Sequence, residues 1–207
     1  MMTPEAKKAL SATVRALRER LITDLSEGLE STWRLQLPLR EAGLSDAATA
    51  RRRRLEDALD EQARGERAAR GKRSDDGLLD RLRAEVVQRA ASTWLHRLVV
   101  LRMLEASGRR KPAVVTGAWK SPGYGDFRAL APALVKGDPT EGMLALLRLV
   151  FEELEQELPG LFGPQGVTEL VPMGAGTLRH LLEALDDQAL ATCWTDDMTL
   201  GWVYQYW

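Results

Sequence analysis

His96 and His180 are the only histidines of the chain, and Cys193 is its only cysteine. A tight metal site draws on several such ligands, and an activated nucleophile needs a base beside it. Neither follows from this spacing. His96 falls between apolar neighbours, where a hydrogen-bonded, half-buried ring is the plainer reading than a catalytic base. Cys193 beside Trp194 reads as packing. Glu152, Glu153, Glu155 and Glu157 run around a helix rather than converging, so they form a solvated face. Asp196-Asp197 reads as a helix cap. No G-x-x-x-x-G-K-[ST] phosphate loop is present. Gly123-Tyr124-Gly125 and Gly174-Ala175-Gly176 are too short, and follow no convincing strand, to bind a dinucleotide or S-adenosylmethionine. The expectation is no catalytic residue, no metal and no cofactor.

Binding chemistry is better represented. Arg51, Arg52, Arg53 and Arg54 make one full turn of cations. A full turn cannot face one ligand. Its plainer reading is a solvated turn paired with Glu56, Asp57, Asp60 and Glu61 at helical spacing. Its functional reading is sequence-independent contact with phosphate. Arg109, Arg110, Lys111 and Lys120 are further candidates for DNA contact. Between residues 109 and 128, Trp119, Tyr124 and Phe127 alternate with Lys111, Lys120 and Arg128. Such interleaving suits stacking on nucleobases; it suits equally well, and more commonly, a loop anchored to a helical core. The tail concentrates aromatics, and Trp194, Trp202, Tyr204, Tyr206 and Trp207 either pack back on the chain or dock on a partner.

The elements that would hold these residues are helical. Residues 74–108 form the longest pattern, with Leu78, Leu82, Val86, Ala90, Trp94, Leu98, Leu101 and Leu104 recurring every three or four positions. Leu79, Val87, Leu95, Val99 and Met103 widen the stripe, so other elements must cover this helix. Ser74, Asp75 and Asp76 supply its cap, and Gly108 its stop. A first helix runs from Thr3-Pro4-Glu5 to about Glu30, with Gly28 weakening its last turn. A second runs over 44–63, followed to residue 73 by either a mobile polar linker or a weakly amphipathic continuation. Shorter helices are expected over 126–135, 138–158 and 177–186, with a last one in the tail. The irregular segment at 109–126 includes Val114-Val115 as the only possible short strand. The fold class is all-α: a single domain of six or seven helices around the 74–108 rod.

The composition agrees. Of the 207 residues, 44% are hydrophobic, ordinary for a globular chain. The lone cysteine excludes an internal disulfide and fits a reducing cytoplasm. No apolar run reaches the length of a membrane span. Net charge is −1, unevenly spread: residues 51–150 carry +8, residues 151–207 carry −9, and residues 1–50 balance. Such asymmetry fits either a polyanion-facing side or two segments that neutralise one another.

Two stretches resemble a known family. Thr93-Trp94-Leu95-His96-Arg97-Leu98-Val99-Val100-Leu101-Arg102-Met103-Leu104-Glu105 resembles a segment near the N-terminus of the BREX phage-defence adenine methyltransferases, the PglX family. There an aromatic, a polar residue and Arg-Leu precede an apolar Arg-x-x-Glu helix. Trp194-Thr195-Asp196-Asp197-Met198-Thr199-Leu200-Gly201-Trp202-Val203-Tyr204-Gln205-Tyr206-Trp207 looks like the acidic, Leu-Gly-aromatic-x-Tyr-Gln-Tyr element that precedes the methyltransferase domain in that family. Residues 158–185 resemble it more loosely, through an apolar Phe turn before a Leu-rich helix. The resemblance implies the N-terminal helical region of a PglX-type enzyme, or a free-standing small BREX component equivalent to it (BrxE-like). It implies a non-catalytic part that docks on the methyltransferase core or on other BREX proteins, with the basic segment near DNA. The family's Pro-Pro-aromatic catalytic motif has no counterpart here. Two other readings stand beside it: a stand-alone nucleic-acid-binding helical module, and a small enzyme with a site in the 109–126 loop.

Overall fold

The computed structural model of the chain describes residues 2–70 and 77–207. The fold is all-α, with no strand among the described residues. In chain order the α-helices are α1 (Pro4–Trp33), α2 (Asp46–Arg70), α3 (Leu78–Ala106), α4 (Pro122–Leu130), α5 (Pro132–Val135), α6 (Met143–Glu155), α7 (Pro159–Phe162), α8 (Ala175–Leu185) and α9 (Thr199–Tyr206). The two beyond the expected count are the single turns α5 and α7. Each is opened by a proline, which pre-sets the dihedral of a first helical residue and needs no hydrogen-bond acceptor there. The expected cap at residues 74–76 lies outside the described residues.

The chain divides into two compact units. One gathers residues up to 21, 92–163 and 174–207; the other gathers 22–91 and 164–173. In the first, α1 buries Leu10, Val14 and Leu17, while α3 buries every residue from Leu95 to Val99. Five consecutive buried residues span more than a full turn, so the helix is covered all round there, as its apolar circumference demands. The α6 stripe buries Met143, Leu147, Val150 and Phe151, and α8 buries Leu178, Leu181, Leu182 and Leu185. Trp94 packs against Phe151 at 5.6 Å, and Phe151 against Phe162 at 5.4 Å. Arg97, apparently an interruption of the apolar run, lies over Phe151 and donates to the carbonyls of Leu161, Phe162 and Gly163. One guanidinium thereby satisfies the orphan carbonyls at the end of α7.

In the second unit, of the two readings of the stretch after residue 63, the helical continuation holds as far as Arg70. Gly65 sits exposed within it, where glycine costs the helix about 1 kcal/mol without breaking it, and Glu66 pairs with Arg81 of α3. Gly28 does not end α1 either. A Cβ there would lie 3.3 Å from Pro172, so the glycine admits a close neighbour and the helix runs on to Trp33. The Trp33 indole N–H then donates to the Leu170 carbonyl at 2.9 Å.

Candidate interface at the C-terminal aromatic cluster

The four arginines of α2 serve different ends. Arg52 is 2% exposed. Its Nη1 donates to the carbonyls of Trp33 and Arg34, its Nη2 to that of Leu37, and Glu56 closes the fork at 2.8 Å. Arg52 therefore leaves the set of DNA-contacting candidates: its donors are spent on the chain turn after α1. The Arg51 guanidinium lies 6.0 Å from the Trp33 ring. Arg53 and Arg54 are exposed.

The segment at 109–126 is held shut from below. The Glu105 carboxylate accepts the backbone N–H groups of Val114, Val115 and Thr116 and the Thr116 hydroxyl, all between 2.7 and 2.9 Å. A carboxylate thus replaces the strand partner that Val114-Val115 lacks. Val114, Val115, Ala118, Tyr124 and Phe127 are buried. The Trp119 indole N–H donates to Thr140, the Tyr124 hydroxyl to the Glu141 carbonyl, and Arg179 lies 4.1 Å over the Trp119 ring. These aromatics anchor the segment. Its second part is more regular than expected, since a 3-10 turn at Ala118–Lys120 leads into α4, capped by Ser121. Arg110 pairs with Glu153 at 2.9 Å and its side chain is 11% exposed, whereas Arg109, Lys111 and Lys120 are exposed.

The tail builds the most concentrated site. Trp194 is 1% exposed, with Arg102 over its ring at 5.8 Å. It is therefore core, not a docking residue. Cys193 is fully buried, its thiol reaching the Ala6 carbonyl at 3.6 Å, and burial pushes its pKa up, with Asp196 adding to the shift. Asp196 caps the approach to α9 by accepting the Met198 N–H at 3.0 Å, and it also accepts the Met2 N–H. The Met198 bond leads the effects that hold its carboxyl below the usual range.

Helix α9 then sets its rings on two flanks. Toward α1, Trp202 and Tyr206 lie nearly parallel, 6.0 Å apart. Lys7 sits 3.2 Å over Trp202, Arg15 5.9 Å over Tyr206, and Arg18 5.9 Å over Trp207. Toward α3, Tyr204 stacks on the His96 imidazole at 4.2 Å, and Trp207 meets it edge-on at 6.1 Å. His96 is 4% exposed. Its Nδ1 is 2.8 Å from the Ser92 carbonyl. A carbonyl only accepts, so Nδ1 carries the proton. Nε2 is buried with no partner among the described residues, and burial lowers the ring's pKa. Four of the five tail aromatics thus gather at one place with a buried histidine and three cations of α1. Lys7, Arg15 and Arg18 were not anticipated, although their spacing of eight and three residues puts them on one side of a helix.

Among the described residues, no three of His, Cys, Asp and Glu gather where they could hold a metal ion, and no helix is long and apolar enough to cross a membrane. Compared with known proteins, the chain matches no protein-family model, no curated protein and no solved structure.

Proposed function

We propose that this chain is a non-catalytic assembly component of a BREX-type phage-defence system, working in the cytoplasm and docking on a PglX-type methyltransferase core or on other BREX proteins. The observation that supports the reading is a juxtaposition. The two stretches that carry the resemblance, 93–105 and 194–207, are far apart in sequence yet pack on each other: His96 lies under Tyr204 and Trp207, and Arg102 lies over Trp194. The two segments on which the resemblance rests thus build one packed unit. The engagement of the 109–126 segment in anchoring contacts favours assembly over a reaction centre in that loop. Arg51, Arg53, Arg54, Arg109, Lys111 and Lys120 remain as cations that could approach DNA; Arg52 does not.

The test is genetic and biochemical. An adenine methyltransferase reading frame should lie beside or continue this one, and the purified core should form a stoichiometric complex with this chain. A gene neighbourhood without such a frame, or no complex by gel filtration at micromolar concentration, removes the proposal.

A further inference from the structure

Lys7, Arg15 and Arg18 lie over aromatic rings, yet α1 from Pro4 to Leu21 also carries Lys8 and Arg20 against only Glu5 and Glu19. Helix α9 bears no charged side chain. The Arg15 and Arg18 side chains are exposed even though each stacks on a ring. A guanidinium in that position keeps its outer edge free for a phosphate. Tyr204 is 59% exposed while one of its faces is taken by His96. Its other face is therefore an open end of a π-stack whose first member is buried and fixed. Trp202 and Tyr206 turn their faces to each other, to Lys7 and to Arg15, whereas the half-buried Trp207 meets both His96 and Arg18 and so links Tyr204 to the cations of α1.

We propose that the exposed surface running from Tyr204 across Trp207 to α1 binds single-stranded nucleic acid, a base stacking on the open face of Tyr204 and the phosphates lying on Arg15 and Arg18. Stacking on a protein ring needs an unpaired base, because in a duplex both base faces are already covered; the combination of an open ring face with backbone-directed cations is the chemistry of single-strand binding. The buried His96 contributes rigidity: it holds the Tyr204 ring at a set angle before ligand arrives, so less ordering accompanies binding. This surface is distinct from the exposed α2 cations, and it stands whether or not the chain belongs to a defence system.

The experiment is a titration of tryptophan fluorescence with oligothymidylate of roughly 15 nucleotides, within the range of known single-strand sites. Quenching should saturate, and affinity should fall about sevenfold between roughly 50 and 200 mM salt, as two phosphate contacts on a single strand require. Tyr204→Leu should weaken binding by about five-fold or more, since each stacked base contributes roughly 1–3 kcal/mol. Tyr204→Phe, which keeps the ring, should stay close to the parent. The Arg15→Gln/Arg18→Gln double variant alters only exposed side chains, so it carries the test even if Tyr204→Leu loosens α9; it should bind more weakly and show a shallower salt dependence. Arg53→Ala/Arg54→Ala should change nothing. No quenching at low salt overturns the proposal. So does tighter binding of duplex DNA, equal binding of inorganic polyphosphate, or loss of affinity in the Arg53/Arg54 variant with none in the Arg15/Arg18 variant.

Discussion

Arg52 and Arg53 are neighbours of one type with opposite roles, and substitution should separate them. Arg52→Ala takes this donor from three carbonyls, of which that of Arg34 keeps the Leu37 N–H and those of Trp33 and Leu37 lose their cation, in a place where side-chain exposure is 2%. Each unsatisfied buried acceptor is costly, so a loss of about 3 kcal/mol is expected by urea denaturation, against under about 0.5 kcal/mol for the exposed Arg53→Ala. Equal effects would mean that the buried fork contributes nothing. His96 makes a pH prediction. Burial lowers its folded-state pKa below the ordinary value of about 6.5 that it regains on unfolding. The folded chain therefore binds fewer protons than the unfolded one. The stabilising preference for a neutral ring is complete above about pH 6.5 and is lost as pH falls from there toward the folded pKa. Urea midpoints should drop as pH falls below about 6.5, and His96→Phe, which keeps a ring beneath Tyr204, should flatten that drop. An identical slope in the variant would remove His96 as the cause. The hydrogen-bonded, buried His96 was legible in its apolar neighbours; the division among the arginines was not. Four arginines in a row look alike in a string, and only the chain turn at 33–37 selects one of them.

The segment before α4 shows how an element can be held without regular pairing. Gly123 donates its N–H to the Ala113 carbonyl at 2.9 Å, and a Cβ at that position would come within 2.7 Å of the same oxygen and 2.8 Å of Val114 Cγ2. Both contacts are too short to persist, and one is backbone. Gly123→Ala should therefore cost about 1–3 kcal/mol, in the range of overpacked sites, whereas Gly125→Ala, with open space around it, should be neutral or slightly stabilising in its helix. Thermal melts of the two variants compare them directly; equal midpoints would contradict the close approach. Gly123 thus serves packing, whereas Gly125 faces open space. Helix periodicity identified α1, α3, α6 and α8 because their buried stripes are long. It merged α4 and α5 into one helix and missed α7, because a single turn has no period to read, and it left the end of α2 open because a polar composition fits a linker as well as a solvated helix.

Across the whole molecule, the basic and acidic segments pair. Arg110 meets Glu153, Arg102 approaches Asp186 at 3.6 Å, and Arg179 of the acidic segment meets Glu141 of the basic one. The carboxylate partners are 31–64% exposed. Pairs so placed contribute at most about 1 kcal/mol each, so raising salt from about 50 mM to 1 M should lower the melting temperature by only a few degrees. A fall beyond about 10 °C would mean that charge neutralisation holds the fold together. The sequence alone determined that the chain is helical, where its long helices lie and which of their faces are buried, because a 3.6-residue apolar period is a local property that leaves few other solutions. It also located the tail as unusual, since so many aromatics in so few residues must find cover. Only the tertiary structure decided that Trp194 is core, that Arg52 and Arg97 are spent on carbonyls, and that His96 ends beneath Tyr204. Those outcomes depend on which backbone atoms arrive beside a side chain from more than a dozen residues away, and neither spacing nor composition encodes that arrival.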